Sequence, residues 1–95
     1  MQHSVIFKMH ENIDPLRINE FFIAAQKLSA IKGVLNFKQW KQVSSKNPFQ
    51  FGLSMEFNTE EAYQHYNNHP AHTAFIQDQW IPCVSEFLEI DLELL

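Results

Sequence analysis

Hydrophobic and polar residues alternate most regularly from Phe49 to Phe57, where Phe49, Phe51, Leu53, Met55 and Phe57 oppose Gln50, Gly52, Ser54 and Glu56. A period of two predicts a strand, and this one has a strongly apolar face. The same period runs through His3–Met9, with Val5, Phe7 and Met9 against Ser4, Ile6 and Lys8. Val34–Val43 reads as another extended segment, with Leu35 and Phe37 expected on one face and Val34 and Trp40 on the other. In Ser85–Leu94, Leu88, Ile90, Leu92 and Leu94 oppose Phe87, Glu89, Asp91 and Glu93, which predicts a last strand.

Between these strands the spacing changes to three and four. Asp14-Pro15 is a helix start, with Asp14 as N-cap and Pro15 at the first helical position. Ile18, Phe21, Phe22, Ala25 and Leu28 follow as an apolar stripe, and Gly33 suits the left-handed position that ends the segment. Asn58-Thr59-Glu60-Glu61 opens a second helix, with Asn58 or Thr59 as cap, running to about Asn68. Pro70 breaks the chain there, because proline has no amide proton to give and crowds the preceding turn. A third helix carries His72, Phe75, Ile76, Trp80, Cys83 and Val84 on one stripe, and Pro82 ends or kinks it. The order β-α-β-β-α-α-β is the split βαβ pattern of a ferredoxin-like α+β fold. It places a four-stranded antiparallel sheet under helices that cover one face.

The other sheet face would carry Ile6, Trp40 or Phe37, Gly52, Ser54 and Gln50. That set is too apolar for a bare surface and too mixed for a dry core. A homodimer with facing sheets resolves it; the alternative is a monomer with a few exposed apolar side chains. Composition agrees with a small associating domain: residues 1–95 make one domain, and 45% apolar content with nine phenylalanines supports a modest core.

Charge removes some functions. A net charge of −4, with scattered Lys and Arg, argues against a nucleic-acid partner. No apolar run reaches the roughly 20 residues of a membrane span. The opening Met-Gln-His-Ser has no basic n-region or apolar h-region, and Cys83 is the single cysteine, so a reduced, cytoplasmic setting is expected.

The stretch Tyr66–Phe75 concentrates the candidate chemistry. Across the proline break Tyr66 and His72 can point into one space. There a neutral imidazole can move a proton and a phenol can polarise a carbonyl. The plainer reading is that Tyr66 packs and His72 bonds a backbone carbonyl. Asp91 can orient His72 by accepting its second ring proton, or can simply be one of several acids on an exposed strand face, as Glu89 and Glu93 are expected to be. His3 shares a face with Val5 and Phe7 and is a possible further polar group in that space. His65, His69 and His72 lack a nearby carboxylate, so no metal is expected. Cys83 has no cationic sequence neighbour to make it a nucleophile.

With these residues in view, the chain resembles the stress-responsive A/B barrel (Dabb) family. The resemblance rests on the opening His3–Lys8, on Gly33–Phe37, on the Phe49–Phe57 strand, and above all on Tyr66-Asn67-Asn68-His69-Pro70-Ala71-His72-Thr73-Ala74-Phe75. It implies a dimeric α+β barrel. The chain is also similar to a plant polyketide cyclase that forms olivetolic acid, a dimeric enzyme without metal or organic cofactor. That similarity implies a catalytic Tyr66 and His72, with His3 and Asp91 in support. It further implies a small, mostly apolar ligand and cofactor-free acid/base chemistry on a carbonyl compound. The alternative is a non-enzymatic ligand-binding or assembly domain. A monooxygenase of related fold would need an Asn-Trp-His arrangement that has no clear counterpart here.

Overall fold

A computed structural model describes residues 1–95. Four strands, β1 (Gln2–Met9), β2 (Leu35–Lys41), β3 (Phe51–Glu56) and β4 (Val84–Leu92), form one antiparallel sheet in the order β2-β3-β1-β4. The helices α1 (Pro15–Gln26), α2 (Glu60–Asn68) and α3 (Pro70–Phe75) lie on one face. This is the ferredoxin-like arrangement expected from the alternation of periods.

The helix boundaries follow local chemistry. The Asp14 carboxylate accepts the Leu16 amide at 2.8 Å and Pro15 opens α1. Thr59, rather than Asn58, caps α2 by accepting from Ala62 N at 3.0 Å. After α1 a 3-10 turn (Lys27–Ala30) leads to Gly33, which adopts φ 95°. A β-carbon at Gly33 would lie 3.0 Å from the Ala62 β-carbon, so glycine is needed for both conformation and space.

Beyond α3 the chain stays helical through a π segment (Ile76–Trp80) and a last turn (Ile81–Cys83). Pro82 is the cause: it has no amide proton for the carbonyl one turn back, that of Asp78. The Arg17 guanidinium supplies the missing donor, reaching Asp78 O at 2.8 Å, and it also holds Gln79 Oε1 at 2.5 Å.

Two bulges set the faces of the sheet. Leu35 pairs with Glu56 but Lys38 with Ser54, which leaves an extra residue in β2 where Asn36 takes φ 50°. Leu35, Lys38 and Trp40 therefore share the open face, while Phe37 turns toward the helices and packs on the core. The expected pairing of Leu35 with Phe37 on one face is thus corrected; strict alternation does not survive a bulge. In β4 the extra residue is Ser85, since Lys8 pairs with Glu86 and Met9 with Val84, and its hydroxyl donates to Met9 O at 3.1 Å.

The core fills the space between helices and sheet. Phe7, Phe21, Phe57 and Cys83 are its largest fully buried side chains. Phe7 lies 4.9 Å from Trp80 and 5.5 Å from Phe21, ring centre to ring centre. Burial of each such ring stabilises the fold by roughly 2–3 kcal/mol. On the opposite face Leu88 and Leu92 pair with Ile6 and Gln2, with Ile90 between them opposite Ser4. Together with Trp40 they form an apolar surface in which Trp40, Leu88 and Leu92 are each about half exposed. No helix is long and apolar enough to cross a membrane.

Candidate functional site

A cavity of about 320 Å³ opens between the helices and one end of the sheet. Its walls are chiefly apolar: Val5, Leu53 and Met55 from the sheet, Phe75, Ile76 and Trp80 from the helical run, and Phe87 from β4. Four polar side chains enter it, those of His3, Tyr66, His72 and Glu89. The volume is near the lower end of the usual range for small-molecule sites, and the mix of apolar walls with a few polar groups fits that class.

The break at Pro70 brings Tyr66 and His72 together. Six residues along an unbroken α-helix turn through about 240°, which would point the two side chains apart. Here His69 leaves the helix with ψ 135°, and its ring nitrogen Nδ1 accepts the Ala71 amide at 3.0 Å to start α3. The new helix direction brings the rings of Tyr66 and His72 to 4.5 Å. His69 is therefore a capping residue. His65 stacks edge-on against it at 5.5 Å, and no three His, Cys, Asp or Glu side chains are grouped to hold a metal ion.

The polarity of each ring follows from its partners. His72 Nδ1 lies 3.2 Å from the carbonyl oxygen of Asn67. A carbonyl only accepts, so the proton sits on Nδ1 and Nε2 keeps its lone pair. Burial holds the His72 pKa below that of an ordinary histidine, only partly offset by the Asn67 carbonyl, so the neutral form prevails at neutral pH. The Tyr66 ring is 3% exposed and packs 5.4 Å from Phe57. Burial pushes its phenol well above the ordinary tyrosine range, so the hydroxyl is a firm donor. No buried side-chain oxygen or nitrogen is without a partner, yet the Tyr66 hydroxyl bonds nothing in the chain; it meets the open cavity.

His3 and Asp91 face each other across β1 and β4, with Nδ1 and Oδ1 at 2.5 Å. A carboxylate oxygen accepts, so His3 Nδ1 carries the proton that points at Asp91. His3 is buried, and its ring lies 6.3 Å from Tyr66 and 5.2 Å from Tyr63. All four anticipated residues thus gather at one end of the sheet, but Asp91 orients His3 and not His72. Across an antiparallel ladder a carboxylate reaches its direct partner first, and that partner is His3.

Glu89 is exposed, as expected of an acid on a solvated strand face, and it also lines the cavity. The signal was available, since Glu89 and Asp91 are two apart on a strand and must share a face. Tyr63 also went unmarked in the sequence; it closes on His3 and on Phe57 at 5.3 Å, and burial raises its phenol pKa. Cys83 is buried, with its thiol pushed up by that burial, and is not poised as a nucleophile.

A Mesorhizobium loti protein described as a Dabb family protein with a ferredoxin-like fold is 45% identical, with a TM-score of 0.93, over 99% of this chain and 95% of its own. A dimeric ferredoxin-like protein of unknown function from Thermobifida fusca is 20% identical, with a TM-score of 0.84 over 98% of this chain and 89% of its own. A hydroxynitrile lyase from Passiflora edulis shares the fold at 12% identity, with a TM-score of 0.80 over 97% of this chain and 92% of its own. No curated protein matches the chain in sequence. The family model of the stress responsive A/B barrel domain matches residues 1–94. The chain belongs to the stress-responsive A/B barrel domain (Dabb) family.

Proposed function

We propose that the protein is a cytoplasmic homodimer, joined through its facing sheets, whose cavity binds a small apolar carbonyl compound and performs cofactor-free acid/base chemistry on it. The observation that carries this reading is the neutral His72 beside a protonated Tyr66, both opening into one apolar cavity. His72 Nε2 takes a proton from the carbon next to the carbonyl. The electron pair moves onto the carbonyl oxygen, which the Tyr66 hydroxyl stabilises by donating to it. In a polyketide cyclase-like, aldol-type step the resulting enolate carbon bonds to a second carbonyl of the same molecule. The new alkoxide then recovers the proton from His72. His3, held by Asp91, supports the site from the sheet side, 6.3 Å from Tyr66 between ring centres.

Two comparisons lend weight. A hydroxynitrile lyase has this fold, so the scaffold can carry an enzyme. Fold neighbours from several bacteria are dimeric, which fits the apolar open face of the sheet. A second reading, a stress-responsive domain that binds a ligand without turning it over, is favoured by the cavity lining, most of whose side chains are apolar.

The test is a binding and activity screen of 1,3-dicarbonyl and polyketide-like compounds, comparing wild type with His72→Ala. Catalysis predicts turnover in the wild type and a loss of about 100-fold or more without the base. Equal turnover in both proteins removes His72 from the chemistry. Binding in both with turnover in neither leaves the carrier reading.

A further inference from the structure

Glu89 is the only Asp, Glu, Lys or Arg among the cavity-lining residues. It stands opposite Val5 in the β1–β4 ladder, between Phe87 and Asp91 on the same face. Asp91 spends its charge on His3 at 2.5 Å, and the other ion pairs of the chain are Lys8–Glu86 and Arg17–Glu20. Glu89 is exposed and has no ion-pair partner, the cavity contains no lysine or arginine, and the one other histidine in its lining besides His72, His3, is taken up by Asp91. An unpaired carboxylate at the mouth of an apolar pocket attracts hydrogen-bond donors and repels anions.

We propose that Glu89 is a specificity residue that sets the charge class of the ligand. The cavity takes an uncharged compound carrying a hydroxyl that donates to Glu89, and it turns away free carboxylates and phosphates. This rests on the reading of the cavity as the ligand site. The residues facing Glu89 add to the selection. Tyr66 is a neutral donor and His72 a neutral base, so neither offers an anion a compensating positive charge. Burial is the chief cause of the shifts at Tyr63, Tyr66 and His72, and the Glu89 charge adds a lesser contribution to each, upward in every case. Glu89 lies on the helix side of the sheet, so a dimer formed through the opposite face leaves it open to the ligand.

The probes are 4-butylphenol and 4-butylbenzoate, which share a skeleton and differ in charge at pH 7.5. Their binding is followed by titration calorimetry and by the fluorescence of Trp80, which lines the cavity. The wild type should bind the phenol at least about tenfold more tightly than the benzoate at low salt. The gap should narrow as salt is added. In Glu89→Gln, benzoate binding should tighten by about three- to tenfold while phenol binding changes by less than about twofold to threefold. Glu89→Asp should keep the wild-type preference. The same preference in wild type and Glu89→Gln, or tight benzoate binding by the wild type, overturns the charge rule and leaves the cavity as a ligand site. No binding of either probe to any of the three proteins removes the cavity reading and the charge rule together.

Discussion

Replacing Gly33 with alanine tests how the helix carrying Tyr66 is seated. Gly33 has φ 95°, a conformation that costs an L side chain about 1–2 kcal/mol. Its new β-carbon would stand 3.0 Å from the Ala62 β-carbon, a contact that forces a shift of loop or helix. Overpacking of this kind costs about 1–3 kcal/mol. A stiffer unfolded chain returns about 0.4–1 kcal/mol. The net loss should be about 2–4 kcal/mol, set against roughly 5–14 kcal/mol for a domain of this length. Urea unfolding followed by circular dichroism reads the difference, with all variants at one concentration because association adds to apparent stability. Ala62→Gly alone should cost about 1 kcal/mol of helix propensity. In the double variant the clash is gone, so its loss should fall short of the sum of the two single losses by about 1–3 kcal/mol. Gly33→Ala within about 0.5 kcal/mol of wild type would refute the close approach. A strictly additive double variant would confine the effect to backbone strain. Ala62 lies one turn before Tyr66 on the same helix face, so a shift at Gly33 should also weaken ligand binding.

Three further outcomes follow from the same geometry. Ile6→Asp or Leu88→Asp on the open sheet face should convert a particle of twice the 11.2 kDa chain mass into a monomer by light scattering; a wild type that is monomeric at micromolar concentration would end the facing-sheet proposal. The His72 pKa is lowered by folding, so the unfolded chain binds the extra proton more readily, and stability present above about pH 6.5 should be lost as pH falls through the folded value. His72→Gln should flatten that part of the pH–stability curve, and the same titration should shape any activity that uses His72 as base. Arg17→Met should cost about 0.5–1.5 kcal/mol in thermal or urea unfolding, because it removes the guanidinium bonds to the Asp78 carbonyl and to Gln79.

Much of the fold was legible because single residues carried mechanism. Asp14-Pro15 and the Thr59 cap mark helix starts by unmet amide groups, and the Phe49–Phe57 alternation marks a strand with one buried face. The bulges were not legible. Asn36 and Ser85 each add one residue to a ladder, and only the pairing of two strands shows which residue is extra. That is why Phe37 was placed beside Leu35. Tyr66 and His72 were readable as neighbours because Pro70 is an unambiguous break. The partner of Asp91 was not, since it depends on a cross-strand register between residues 3 and 91 that no local pattern encodes. Glu89 is exposed, as its place on an acidic strand suggests, and only the cavity beside it shows that it also borders the pocket.

The two faces of β4 have a joint consequence for assembly. Leu88, Ile90 and Leu92 point to the open side, and Phe87, Glu89 and Asp91 to the cavity side. A slip of one residue would carry the acids into the apolar surface and the leucines into the pocket, breaking both at once. The strand thus has no half-correct state: a chain whose surface is fit to meet a partner is one whose His3–Asp91 pair is already in place. In the proposed dimer, association would then act as proofreading, because a mispaired edge strand would present carboxylates where a second copy needs leucines.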